Sequence, residues 1–208
     1  MKLSQGRYGS LAGTLALCVL ARATIALVAS NTPTPVTRDD ESVKPSANAV
    51  NQLVENSDFE LRELQGWSLI AVGGKGELQR EVAARNGETN SHSLRLAVMS
   101  PGERCGVSNR GGNGIRVIAG NWYDLTFQAR AEKRENDRGY ALTVSLESPD
   151  GQQVFARTTL PEVAGDWKGH TVALHCRVSN PEARITITMS EAGTVWLDDV
   201  SLVARATK

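Results

Sequence analysis

Few residues of this chain are spaced for chemistry. In GTVWLDDVSL (193–202), two adjacent acids, Asp198 and Asp199, interrupt a run of Val, Trp and Leu that otherwise reads as a buried strand. Successive strand residues point to opposite faces, so at least one of the two must face inward or toward an edge. A carboxylate there needs a hydrogen bond, a counter-charge or a metal. His170 and His175 lie five apart on one strand, face opposite sides and cannot chelate one ion, while His92 precedes a core strand and reads as a loop hydrogen-bonder. Neither H-E-x-x-H nor CxxC occurs. GVSNRG (106–111) lacks the spacing of a nucleophile elbow. Gly111, Gly112 and Gly114 join two strands with no helix behind them to cradle a phosphate, so they read as turn residues. A glycosidase needs two carboxyls across a cleft, and nothing among the 23 acids points to such a pair.

The elements that must position any site are strands. SLRLAVMS (93–100), YDLTFQARA (123–131) and YALTVSLES (140–148) alternate apolar and polar residues, and QVFARTTL, HTVALHC and ARITITM repeat the habit. That is a period of two, with no long amphipathic helix. Asn86-Gly87, Asp150-Gly151, Gly165-Asp166 and Asn180-Pro181 supply turns between the runs. Asp-Gly in SPDGQ (148–152) suits a tight hairpin because it accepts positive φ. About ten such strands predict an all-β fold, a two-sheet antiparallel β-sandwich of jelly-roll type.

The rows opposite the core are then informative. Trp122, Asp124, Gln128 and Arg130 share one outward row; Thr143, Ser145 and Glu147 form another; Phe155, Arg157 and His175 lie on further strands. Aromatic, amide, guanidinium and carboxylate groups together suit a sugar, whose apolar C–H face stacks on a ring while its hydroxyls take hydrogen bonds. Trp122, Gln128, Arg130, Glu147 and Arg157 are the candidates. An ordinary solvated sheet face is the alternative.

Charge and composition bound the rest. Lys+Arg and Asp+Glu each total 23 without a basic cluster, which argues against nucleic acid. Residues 1–30 read as a signal peptide: Lys2 and Arg7, then LAGTLALCVL (11–20), then small residues around cleavage near 23 or 29–30. A membrane anchor over 11–29 is the rival, and it would place Arg22 mid-span. Residues 31–50, with three prolines and few large apolar side chains, read as a disordered linker, leaving 51–205 as the folded part of a secreted, extracytoplasmic protein. Export would leave Cys105 and Cys176, either a disulfide or two buried thiols.

LVENSDFE…GWSL (53–69), HSLRL (92–96), ERCGVSN (103–109), YDLTFQARA, LTVSLESPDGQ (142–152), GDWK (165–168) and GTVWLDDVSL occur in an order that resembles family 4/9/22-type carbohydrate-binding modules. They are most similar to the sandwich within family 51 α-L-arabinofuranosidases. The resemblance implies a galactose-binding-like jelly roll and a structural Ca²⁺ held by Glu60, Asp58 through its carbonyl, the 86–92 loop and Asp198. The catalytic barrel of those arabinofuranosidases has no counterpart, so their activity does not carry over. Relatives often place an aromatic where this chain reads NRGGNG (109–114), while Trp67, Tyr123 and Trp167 match positions that look structural. The resemblance thus implies a secreted non-catalytic module that binds plant cell-wall-type polysaccharide, such as xylan, arabinoxylan or β-glucan, weakly. The alternatives are a structural or adhesion sandwich contacting a cell-surface protein, and an accessory module for a separate glycoside hydrolase.

Overall fold

The computed structural model describes residues 52–83, 91–134 and 138–205. The expected signal peptide and linker lie outside the described residues. Among the described residues eleven strands form two sheets: β1 (Trp67–Val72), β2 (Lys75–Val82), β3 (His92–Ser100), β4 (Arg104–Asn109), β5 (Ile115–Val117), β6 (Trp122–Ala131), β7 (Tyr140–Glu147), β8 (Val154–Val163), β9 (Lys168–His175), β10 (Asn180–Met189) and β11 (Gly193–Ala204). One sheet runs β1-β4-β10-β7-β8, with β5 paired to β10; the other runs β2-β3-β11-β6-β9. Every pairing is antiparallel. The expected sandwich is the observed fold.

Alternation decides which side of each sheet is dry. Leu142, Val144 and Leu146 of β7 and Ile185 and Ile187 of β10 face Leu94 and Leu96 of β3, Leu125 and Phe127 of β6, and Val195 and Leu197 of β11; all are buried in one core. Burying each such side chain contributes roughly 1.5–3 kcal/mol. The edge strand β8 lies against the edge strand β9, and β1 against β2. SPDGQ makes the expected hairpin, with Gly151 at φ 77° and Asp150 Oδ1 accepting from the Gln152 N–H at 3.0 Å.

Of the two readings of the cysteines, the structure takes the buried thiols rather than the candidate disulfide. Cys105 and Cys176 are both buried, and both are free thiols. The Cys105 Sγ sits against Gly76 of β2, whereas Cys176 directly follows β9, at the opposite edge of the same sheet. Four strand spacings separate those edges, roughly 19 Å, and a disulfide spans at most about 7 Å between Cα atoms. Parity places both side chains in the core without bringing them together.

Candidate functional site

Trp122 opens β6 on its outward row and is the most exposed Phe, Tyr or Trp among the described residues, at 43%. It pairs in register with His175 of β9, and the two rings stack with centroids 4.7 Å apart and planes 26° from parallel. The Arg205 guanidinium lies 5.2 Å from the Trp122 ring centre and is anchored to both oxygens of Asp124 at 2.6 and 2.7 Å. The ring is therefore braced from two neighbours while keeping open surface. Beside it, where β8 meets β9, is a cavity of about 400 Å³ lined by Trp122, Phe155, Arg157, His175 and Arg177, among others. Its wall is tied across the two sheets by the Arg177 N–H donating to the Phe155 carbonyl at 3.1 Å. Arg157 donates through Nε to Ser145 Oγ at 3.2 Å.

Trp122 and Arg157 are thus brought together, although they belong to different sheets. The other three candidates are not. Gln128, also on β6, lines a separate cavity of about 660 Å³ with Asp58, His170 and Asp199. Burial pushes the His170 imidazole below its usual pKa, and Lys168 adds to the effect. Arg130 lies between two indoles, its guanidinium carbon 4.0 Å from the Trp196 ring centre and 5.5 Å from that of Trp167. Trp196 donates in turn to Glu81 at 2.9 Å. This row of stacked cation and rings runs across the outer face of the second sheet.

Glu147 stands on the outer row of the first sheet yet is 0% exposed. Its Oε1 accepts from Arg184 Nε at 2.8 Å and pairs with Nη2 at 2.7 Å. Its Oε2 accepts from Arg104 Nη2, which also donates to Thr186 Oγ1 at 3.2 Å. Gly151 lies over this group: a Cβ there would sit 2.6 Å from Arg184 Nη2 and 3.0 Å from Arg104 Nη1. The carboxylate is enclosed by two cations and a turn, so it is not presented to a ligand.

The residues expected to hold calcium each have hydrogen-bond partners within the fold. Glu60 accepts from the His92 N–H at 2.7 Å and contacts His92 Nδ1 at 2.9 Å, with Arg80 Nη2 at 3.9 Å. Asp58 Oδ1 accepts from the Glu60 N–H at 3.3 Å. Asp198, 2% exposed, accepts from the Asp199 N–H at 2.7 Å. Among the described residues no group of three or more His, Cys, Asp or Glu side chains comes together to hold a metal. Residues 86–90 of the expected calcium loop lie outside the described residues.

The sequence reading missed Arg177, Arg104, Arg184 and Trp196 as partners. Arg104 and Arg184 stand opposite the core rows of their strands, so parity could have found them. Arg177 lies two residues past the end of β9 and carries no periodic signal.

No family model matches the chain. Alpha-L-arabinofuranosidase 1 of Arabidopsis thaliana is 29% identical over 122 residues, 55% of this chain and 17% of that protein. An arabinose-bound family 51 α-L-arabinofuranosidase superposes with a TM-score of 0.64 and 22% identity over 76% of this chain and 27% of its own. A family 4 carbohydrate-binding module gives 0.53 and 18% identity over 73% of this chain and 99% of its own. The family 22 binding module and family 10 catalytic module of Clostridium thermocellum xylanase 10B, complexed with xylohexaose, give 0.53 and 18% over 76% and 29%. The chain spans less than a third of either arabinofuranosidase it matches. Its described residues form the sandwich fold found in carbohydrate-binding modules and in family 51 arabinofuranosidases.

Proposed function

We propose that the chain is an exported, non-catalytic module that binds polysaccharide of the plant cell-wall type. One observation carries the reading: a braced, exposed Trp122 at the rim of a cavity of about 400 Å³, within the usual size range of ligand pockets. The indole offers a flat apolar surface to one sugar ring, and Arg157 and His175 supply hydrogen-bonding groups beside it. Fold neighbours that are themselves carbohydrate-binding modules support the reading. A single open ring makes the binding weak, since one aromatic contact adds about 0.5–1.5 kcal/mol beyond the area it buries. Affinity electrophoresis of the chain through gels of arabinoxylan, xylan, β-glucan or pectin tests it. Retardation that Trp122→Ala abolishes supports the module, with the variant's melting curve showing that it still folds. Unchanged mobility in every gel overturns it.

The Arg104–Glu147–Arg184 cluster favours a second reading, a structural sandwich whose partner is a cell-surface protein. It fills the outer face of the first sheet with closed ion pairs rather than aromatic rings. On that reading Trp122→Ala alters partner association and leaves polysaccharide gels indifferent.

A further inference from the structure

The cavity beside Trp122 has a charge that the neutral-sugar reading leaves unused. Arg157 and Arg177 both line it, and among the described residues no acidic side chain does. Neither guanidinium pairs with a carboxylate among the described residues, whereas Arg80, Arg95, Arg104, Arg134, Arg184 and Arg205 each do. The acids closest in the pairing pattern are already committed: Asp124 to Arg205, and Glu147, whose register partner is Val154, to Arg104 and Arg184. Among the described residues Arg157 spends only its Nε, on the Ser145 hydroxyl, which leaves its terminal nitrogens available there.

Two uncompensated guanidiniums beside an exposed indole form a composite receptor. A guanidinium holds a carboxylate through two parallel charge-assisted hydrogen bonds, while the indole takes the C–H face of the same ring. We infer that this cavity selects an acidic sugar, a uronic-acid residue within a polysaccharide, with Arg157 and Arg177 on the carboxylate and Trp122 under the pyranose. The inference rests on the module reading and narrows it from polysaccharide in general to the acidic class.

The test uses the full chain with polygalacturonate, the same polymer fully methyl-esterified, and neutral arabinoxylan and β-glucan, by affinity electrophoresis and by titration of tryptophan emission. Polygalacturonate is expected to bind at least tenfold more tightly than its ester, a difference of about 1.4 kcal/mol. Arg157→Gln with Arg177→Gln should erase that difference, and raised salt should weaken it. Arg62→Gln, an exposed arginine elsewhere, should leave it intact. Equal binding of acid and ester, or an equal loss in Arg62→Gln, overturns the inference. Binding only to neutral polymers, lost in Trp122→Ala and kept in the double arginine variant, overturns it while the module reading stands. Binding to none of the polymers overturns both.

Discussion

Replacing Glu147 by Gln removes the charge that two arginines share and little else. Glu147 is fully enclosed, and the Arg104 and Arg184 side chains are 23% and 16% exposed. The variant leaves two guanidiniums around a neutral amide that cannot accept from both as the carboxylate does. Removing one partner of a fully buried ion pair costs about 3–5 kcal/mol. The partial exposure of both arginines lets water recover some of that, so the expected loss is about 2–4 kcal/mol. For a fold of this size each kcal/mol moves the melting midpoint by roughly 2–4 °C, giving a drop of about 5–15 °C. Calorimetry on wild type and variant measures it, and 0.5 M salt should narrow the gap by screening the exposed cations. A cycle with Arg184→Gln should show coupling of about 0.5–3 kcal/mol, the range for residues in one ion-pair network. A loss under about 1 kcal/mol with no coupling refutes the reasoning, because the cluster would then be as loosely held as a surface pair.

Three further outcomes follow from named positions. Burial raises the Cys176 thiol from its ordinary 9.0 to about 11; the folded state therefore holds its proton longer than the unfolded one, and stability is full below pH 9 and falls as pH rises through about 11. The loss is about 2–3 kcal/mol, and denaturant melts of Cys176→Ala should lack that alkaline slope. A Cβ at Gly106 would lie 2.2 Å from the Ile187 carbonyl oxygen, in the middle of a sheet, so Gly106→Ala should cost about 3 kcal/mol or more, whereas Gly112→Ala, with open space around it, should stay within about 0.5 kcal/mol in the same melts. Because Glu60 is already held by His92 and Arg80, exchanging calcium for EDTA should shift the melting midpoint by no more than about 1 °C; a rise of several degrees with added calcium would show that a metal is bound.

The fold was legible because each sheet has one dry face, and Tyr123, Leu125, Phe127 and Ala129 announce it by alternation. The site was legible only in part, because parity says which side a residue faces and not which strand lies beside it. Glu147 and Arg157 belong to one sheet while Trp122, Gln128 and Arg130 belong to the other. Only the meeting of the edges β8 and β9 brings Trp122 to Arg157. Glu147 shows a second limit. Its outward position held, but the cations on β4 and β10 and the turn at Gly151 buried it from outside the core, a consequence of strand order that one strand's pattern does not contain.

The adjacent acids of β11 show what a broken pattern encodes. Asp198 pairs with Gln128 and Ser201 with Thr126, so two residues, Asp199 and Val200, stand against the single Phe127. That is a β-bulge, and Asp199 takes the left-handed conformation at φ 48°, which aspartate tolerates better than most residues. The extra residue resets the alternation: Leu197 and Val200 are both buried, three apart rather than two, and Leu202 follows in step. Asp198 faces outward and closes the bulge through the Asp199 N–H. The distortion also turns the Val200 N–H toward the chain's first described segment, where it donates to the Ser57 carbonyl at 2.8 Å. The spacing L-D-D-V was therefore the signal. A three-residue step between inward apolar residues of a strand marks a bulge, and the two acids are adjacent because one belongs to the outer row and the other to the bulge.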